Sequence, residues 1–193
     1  MRYSEKHKEQ TRERIVRTAS RRFRGKGEGN VAIADLMQEL KLTHGGFYRH
    51  FASKEDLFAE SIGKAFEEAA AGMRRRLKDA RSGSELKLVI ETYLSPEHCE
   101  HTAEGCPLAA LATEVARHPR AVRSRFDKAV ENLSDRLSKF IKGSTEDEKH
   151  RNVAVLFSGM AGALNLARAV ADDETRQRIL QDARDFYIRS FCP

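Results

Sequence analysis

The stretch from Lys41 to Phe58 reads KLTHGGFYRHFASKEDLF and gathers many groups that form hydrogen bonds and ion pairs. A hydroxyl, two imidazoles, a phenol and several charged groups follow one another within a few helical turns. Two adjacent glycines carry no side chain, so a partner can approach the backbone closely there. Two phenylalanines are spaced to anchor the segment to a core. The pattern predicts a surface that contacts another molecule.

A second group of reactive side chains lies in one predicted loop and at the residue after it. His98, Cys99, His101 and Cys106 are residue types that bind metals or act as nucleophiles. Their spacing is irregular, and no second CxxC or HxxxH pair completes a metal cage. We therefore expect no metal site and no cofactor.

Cys106 stands just before Pro107, at a predicted helix N-terminus. The helix dipole at such a position stabilises a thiolate, which favours a sensor of oxidants or electrophiles. The commoner role of a cysteine of this kind is a buried, inert thiol. The sequence leaves both interpretations open.

The composition is that of a globular protein, with 193 residues, 40% of them hydrophobic and 33% charged. No run of 18 apolar residues is present, and the N-terminal segment MRYSEKHKEQ is charged, so neither a membrane span nor a signal peptide is expected. The three cysteines do not form a paired disulfide framework. These features favour a cytoplasmic protein.

The positive charge is concentrated at the N-terminal end. Residues 1–54 carry 13 lysines and arginines against 6 acidic residues, whereas residues 55–193 carry 22 against 23. A basic head on a nearly neutral body is typical of a protein that binds nucleic acid. A solvated basic surface with no partner is the alternative.

The elements that position these residues are helices, because apolar residues recur at helical spacing almost everywhere and no strand pattern occurs. A first helix ends at the glycine-rich segment 25–29. A second is predicted to be capped by Asn30, and a third by Thr43. Phe47 and Phe51 are expected to be the core anchors of the third helix.

The remainder of the chain predicts a helical body. Ser53 is an expected N-cap for a long helix from Lys54 towards Arg81, and residues 95–105 are interpreted as an irregular loop. Thr145 and Glu148 form a predicted capping box. In total we expect an all-α fold of about nine helices.

Two short helices joined by a tight turn form a helix-turn-helix arrangement. Residues 31–58, VAIADLMQELKLTHGGFYRHFASKEDLF, resemble the DNA-binding signature of the TetR family of bacterial transcriptional repressors. The resemblance covers about residues 10–60, and beyond them only length and helical pattern agree. It implies a DNA-binding helix-turn-helix domain over 1–53 and a ligand-binding and dimerisation domain over 54–193.

The chain departs from the family pattern at two places. Ala32 stands where many members have a Ser or Thr that caps the second helix. Leu40 and Lys41 stand where Ala-Gly is usual, so Lys41 is expected to adopt a turn conformation that glycine adopts more easily, at a cost of about 1 kcal/mol.

The resemblance and the residue types together imply how DNA is contacted. His44 is the best candidate for a base contact and Arg49 the next, while Tyr48 and Lys54 resemble phosphate-contacting positions. The full predicted DNA-binding set is Thr43, His44, Gly45, Gly46, Tyr48, Arg49, His50 and Lys54. Further candidates for backbone or minor-groove contacts from an N-terminal arm are Arg2, Lys6, Lys8 and Arg12.

The resemblance also implies a homodimer formed through the last two helices, which binds a palindromic operator on double-stranded DNA and is released by a small-molecule inducer. A dimer is required to place two recognition helices about 34–36 Å apart. Small residues in SGMAGALNLARAV (158–170) would let a second helix come close, and tight packing within one chain is the alternative. The candidate inducer-pocket residues are Phe66, Cys106, Leu108, Leu111, Phe126, Phe157 and Met160.

Two other function classes stay open. A small helical enzyme would use the His/Cys loop, but no nucleophile with a base and an orienting partner is apparent, and we expect no enzymatic activity. A helical adaptor with a basic head would bind DNA weakly and without sequence preference.

Overall fold

The computed structural model describes residues 5–192, and all regular secondary structure in that range is helical. Its ten α-helices, in chain order, are α1 (Glu5–Lys26), α2 (Ile33–Glu39), α3 (His44–Phe47), α4 (Lys54–Leu77), α5 (Glu85–Tyr93), α6 (Pro96–Glu100), α7 (Pro107–Val115), α8 (Arg120–Ser138), α9 (Glu146–Ala169) and α10 (Asp173–Phe191). The predicted all-α fold is confirmed.

The first three helices form the head, and their ends follow from local sequence. Gly27 adopts a positive φ of 79° directly after α1, a conformation that a glycine accepts without strain. Thr43 caps α3, since its hydroxyl oxygen accepts a hydrogen bond from the Gly46 N–H at 3.2 Å. The prediction for Asn30 is wrong: its amide donates to the Lys26 carbonyl, while Ala32 occupies the N-cap of α2 without a side-chain bond.

The turn between α2 and α3 has the conformation expected from its departure from the family pattern. Lys41 has a φ of 57° and is the single non-glycine residue with positive φ between residues 5 and 192. A side chain in this region is strained by about 1–2 kcal/mol. The helix-turn-helix geometry is kept at that cost.

The body contains one helix more than the sequence predicted, because the expected loop 95–105 is largely ordered into helical turns. Ser95 caps α6 by accepting the His98 N–H at 3.1 Å, Pro96 occupies the first turn, and Thr102–Glu104 forms a 3-10 helix. A serine followed by proline and glutamate is a helix start that the periodicity analysis overlooked.

Other predicted boundaries are close to those observed. Ser53 caps α4 as expected, but the helix ends at Leu77 rather than near Arg81. At α9 the Thr145 hydroxyl accepts the Glu148 N–H, and the Glu148 carboxylate accepts the N–H of Ser144 rather than that of Thr145 itself. The capping box is therefore present in a shifted form.

Two hydrophobic clusters hold these helices together. The first joins the head to α4, α7 and α8 and includes Phe23, Phe47, Phe58, Leu111 and Val122. The second joins α5, α7, α9 and α10 and includes Ile90, Tyr93, Phe157, Met160 and Leu180. Because the first cluster continues from the head into the body, movement of one disturbs the packing of the other.

Among the helices described, none is both long enough and apolar enough to cross a membrane.

Candidate functional site

The predicted contact residues surround α3 and differ in how far they reach solvent. Thr43, His44, Gly45, Tyr48 and Arg49 are exposed, whereas Gly46, His50 and Lys54 are half-buried. Tyr48 is 62% exposed, the largest exposure among the bulky hydrophobic side chains described. Its ring packs edge-on against His44, with the ring centres 5.8 Å apart. The structure thus brings the predicted residues together around one short helix.

Two phenylalanines fix this surface to the core. Phe47 and Phe51 are only 1% and 2% exposed, and their rings stack with centres 5.4 Å apart. The prediction that both are core anchors is confirmed. Because α3 contains only four residues, its orientation depends on this aromatic packing rather than on intrinsic helix stability.

The two glycines of α3 are different in their surroundings. A Cβ atom added at Gly46 would lie 3.2 Å from the Thr43 hydroxyl oxygen, so the cap itself requires a small residue there. A Cβ atom added at Gly45 would meet no atom within 4 Å. Nothing in the fold accounts for glycine at position 45.

Several of the predicted cationic contacts are engaged inside the chain. The Lys54 ammonium lies 3.1 Å from a Glu28 carboxylate oxygen. Arg12 forms a bidentate ion pair with Glu60, and its guanidinium lies over the Phe51 ring. Arg12 therefore lies within α1 and is held by contacts inside the chain, rather than in the N-terminal arm in which it was expected.

The remaining basic candidates fall into three classes. Lys6 and Lys8 are exposed but lie within α1, so they project from a helix rather than from an extended arm. Arg2 lies outside the described residues. For His50, burial and the nearby cations lower the pKa of the imidazole, and its Nδ1 atom is buried without a partner. The lowered pKa favours the neutral form of the His50 imidazole at this surface.

A large cavity of about 1370 Å³ opens in the body between α1, α4, α5, α7, α8 and α9. Three of the predicted pocket residues, Phe66, Cys106 and Phe157, line it. The other four do not line it, because Leu111 and Met160 are fully buried in the two clusters and Leu108 and Phe126 pack behind the wall. The Phe126 ring packs edge-on against the Phe66 ring, with the ring centres 5.6 Å apart.

One wall of the cavity is built from His98, Tyr93 and Cys106. The His98 Nδ1–H donates to the Tyr93 carbonyl at 2.6 Å, and its Nε2 accepts the Cys106 N–H at 2.9 Å. Burial lowers the pKa of His98, which favours the neutral ring that these two bonds require. Both ring nitrogens are thus used, and no metal-binding group of three or more His, Cys, Asp or Glu occurs within residues 5–192.

The Cys106 thiol does not have the properties of an activated thiolate. Burial raises its pKa, and this effect exceeds the opposing influence of the neighbouring Tyr93 hydroxyl and of the Leu108 and Ala109 backbone. The sulfur makes no side-chain cap of α7. The expected stabilisation of a thiolate by the helix N-terminus is therefore outweighed by desolvation.

The cavity wall is bonded directly to the last turn of α1. The buried Arg24 guanidinium donates to the Gly105 carbonyl at 3.0 Å and to a Glu68 carboxylate oxygen at 2.9 Å. The Glu28 N–H, just beyond the helix, donates to both carboxylate oxygens of Glu114 at 3.0 Å. The only local sequence signal of this junction is an arginine beside Phe23 at the edge of an apolar stripe, which does not predict its distant partners.

The last two helices retain an exposed apolar surface. Val155, Leu166 and Phe186 are each more than half exposed, and nothing lies within 4 Å of a Cβ atom added at Gly162. At Gly159, by contrast, an added Cβ atom would overlap the Tyr187 hydroxyl of α10. Packing within the chain thus accounts for the glycine at position 159 but not for the glycine at position 162.

A three-helix head with an exposed, polar third helix on a helical body defines a helix-turn-helix transcriptional regulator. The family model described as "Bacterial regulatory proteins, tetR family" matches residues 15–61, and that described as "Tetracyclin repressor-like, C-terminal domain" matches residues 83–183. The chain belongs to the TetR family, as its helix-turn-helix sequence predicted.

Relatives and solved structures agree with this family. An uncharacterized HTH-type transcriptional regulator of Mycobacterium tuberculosis is 28% identical over 170 residues, which cover 83% of this chain and 86% of the relative. The reduced form of Escherichia coli NemR superposes with a TM-score of 0.75 at 20% identity and covers 95% of this chain and 98% of its own. A TetR family regulator from Agrobacterium tumefaciens gives a TM-score of 0.72 at 21% identity, covering 92% and 97%.

Proposed function

We propose that the protein is a homodimeric repressor that binds a palindromic operator and is released from it by a small molecule. The observation that carries the DNA-binding part is the surface around α3. There the fold leaves Tyr48 exposed and gives no internal reason for glycine at position 45. A glycine without an internal role, beside exposed donors, fits a backbone that lies against the floor of the major groove.

The contacts divide by chemistry. His44 and Arg49 are exposed donors that read base edges, and Tyr48 and the Thr43 end of α3 bind phosphates. Lys54 binds a phosphate by breaking its ion pair with Glu28 and forming one with the phosphate instead. His50 contributes a neutral hydrogen-bonding group, because its lowered pKa favours the uncharged ring.

Release follows from the junction between cavity and head. Gly105 and Cys106 line the cavity, and the Gly105 carbonyl accepts a hydrogen bond from Arg24 of α1. A ligand that moves this segment therefore acts on the head. It favours release only if it binds more tightly to the conformation that does not bind DNA. In line with such a site, a protein from Saccharomonospora viridis with the same fold was solved in complex with choline, at a TM-score of 0.75 and 18% identity over 96% of this chain and 99% of its own.

The dimer forms through the outer faces of α9 and α10. Val155, Gly162 and Leu166 repeat on one face of α9, and the adjacent helix adds Phe186. An apolar surface of this kind on a described helix pair is typical of a protein interface. Two heads then present two copies of α3 to the two halves of an operator.

The chain acts by binding rather than by catalysis. Both ring nitrogens of His98 are held in backbone bonds, and burial raises the pKa of Cys106, so the loop offers no free base beside an activated nucleophile. A regulator of this kind works where the genome lies, and we place it in the bacterial cytoplasm.

The test is selection of bound sequences from a genomic DNA pool, followed by affinity for the selected duplex and for scrambled DNA at two salt concentrations. We expect a palindrome preferred by about a thousandfold or more. Tyr48→Ala should weaken binding to all sequences, His44→Ala should change the preferred sequence, and Arg123→Ala, which removes an exposed charge from α8, should do neither. Weak binding without a consensus would refute the proposal and favour a helical adaptor.

A further inference from the structure

The cavity carries an excess of positive charge that the rest of the chain does not neutralise. Within residues 5–192, six of its lining cations form no ion pair, and all six are exposed at its mouth: Arg21, Arg74, Arg75, Lys78, Arg136 and Lys139. Three carboxylates line the cavity. Glu68 lies within ion-pair distance of Arg17 and Arg24, and Glu97 lies within ion-pair distance of Arg76, whereas Glu104 forms no ion pair with a described residue. The mouth therefore has six unpaired cations against one unpaired carboxylate, that of Glu104, which leaves a surplus of positive charge.

The interior of the cavity is apolar. Aromatic and aliphatic side chains form its floor, in particular Phe66, Val89, Leu137, Phe140 and Phe157. An apolar interior beneath a cationic mouth fits a ligand with a hydrophobic body and an acidic group at one end. A volume of about 1370 Å³ leaves room for a body larger than a single ring.

One polar group in this interior has no partner. Tyr93 is 4% exposed, and its buried hydroxyl lies near the Cys106 thiol but makes no hydrogen bond of ordinary geometry to any described residue. The Tyr93 ring packs edge-on against the rings of Phe157 and His98, with ring centres 5.5 Å and 4.9 Å apart, respectively. Burial raises the pKa of Tyr93 well above its ordinary value, so the phenol keeps its proton. It is therefore an unsatisfied hydrogen-bond donor. An unsatisfied donor that lines a cavity can give its hydrogen bond to an acceptor atom on a bound ligand.

We propose that the inducer is an amphipathic anion. Its acidic group is held by the unpaired cations at the mouth, its hydrophobic body lies along Phe66 and Phe157, and an oxygen acceptor on that body takes the Tyr93 O–H. This inference rests on the proposed release by a ligand in the cavity. It narrows that ligand to carboxylates, phosphates or sulfonates with an apolar body, and it excludes quaternary ammonium compounds.

The test compares two probes with one skeleton. 1-Anilinonaphthalene-8-sulfonate carries an anionic group, and N-phenyl-1-naphthylamine is its neutral parent. We expect the sulfonate to bind the full-length protein at one site per chain and more tightly than the parent. Decanoate should displace it and decyltrimethylammonium should not. Equal affinities for the two probes, or displacement by the cation alone, would overturn the proposal.

Matched variants locate the site. Replacement of Arg74, Arg75 and Arg136 by Gln should weaken sulfonate binding about tenfold, since each exposed charge contact contributes modestly. Replacement of Arg123, Arg125 and Arg151 by Gln removes the same charge from exposed positions outside the cavity and should leave the affinity unchanged. Similar losses in both triple variants would show general attraction to a basic protein and would refute the site.

Tyr93→Phe provides a reading that does not depend on the probe. Because the hydroxyl makes no hydrogen bond of ordinary geometry to any described residue, its removal should raise the thermal unfolding midpoint measured without added ligand. A lower midpoint would mean that the hydroxyl is satisfied within the fold, contrary to the proposal. Probe binding is measured without DNA, so failure of DNA binding and failure of this ligand class are distinguished.

Discussion

The substitution Gly45→Ala separates the stability of the head from its affinity for DNA. Alanine is favoured over glycine within a helix by about 1 kcal/mol, and less near a helix end. In α3 the added methyl group meets no atom within 4 Å, so no steric cost offsets this gain. The free energy of unfolding should therefore rise by about 0.5–1 kcal/mol per chain.

The same methyl group should weaken binding to the operator. If the backbone at Gly45 lies against the major-groove floor, a methyl group there forces a separation that costs about 1–3 kcal/mol, by analogy with overpacking in a core. Two copies act in a dimer, so even the lower value gives about 2 kcal/mol, or roughly thirtyfold in affinity. Because the substitution should raise folding stability while lowering operator affinity, a loss of binding cannot be explained by loss of the folded head.

Two glycine variants serve as controls. Gly63→Ala also places a methyl group in open space, but within α4, so it should stabilise the fold and leave DNA affinity unchanged. Gly46→Ala places its Cβ atom 3.2 Å from the Thr43 hydroxyl and should disturb the cap. Chemical denaturation and fluorescence anisotropy with the selected duplex measure both quantities. Normal operator affinity in Gly45→Ala would refute the close approach of this backbone to DNA.

Four further perturbations test other parts of the structure. Lys41→Gly relieves the positive φ and should raise unfolding free energy by about 0.5–1 kcal/mol; no gain would contradict the strain. Arg24→Met should lower it by about 2–4 kcal/mol in urea titrations, a loss that Glu68→Gln partly restores; a loss below about 1 kcal/mol would show a weak junction. Leu166→Arg should yield monomers in sedimentation, and persistent dimers would place the interface elsewhere. Cys106 should react with iodoacetamide more slowly than the thiols of the unfolded chain, with the rate rising only at alkaline pH because its pKa is raised; fast reaction at pH 7 would restore the sensor thiol.

The head could be predicted from sequence because its interactions are local. The Thr43 and Ser53 caps each join residues three positions apart, and the anchoring role of Phe47 and Phe51 follows from their spacing. The strained turn at Lys41 was also foreseeable, since a single residue type decides whether a positive φ is costly. Local chemistry of this kind is visible in a few consecutive letters.

The cavity could not be predicted with the same accuracy, because its wall joins distant residues. The bond from Arg24 to Gly105 spans 81 positions, and that from Glu28 to Glu114 spans 86. Periodicity predicts which side of a helix is buried but not which apolar side chains face a void. Of the predicted pocket residues, Phe66 and Phe157 line the cavity, whereas Leu111 and Met160 belong to the packed core.

The junction at Arg24 also determines how the two proposed sites affect each other. The head is tied to the cavity wall by the buried Arg24 guanidinium and to α7 by the Glu28 N–H, which donates to Glu114. Lys54, at the start of α4, pairs with that same Glu28. A DNA phosphate that replaces Glu28 as the partner of Lys54 therefore changes the interactions of Glu28, whose N–H is bonded to Glu114. Coupling of this kind is reciprocal, so an anion that weakens operator affinity by some factor must itself bind more weakly, by that factor, to the DNA complex. Titration of the sulfonate probe with and without the selected duplex measures this factor, and equal affinities would mean that cavity and head are not linked.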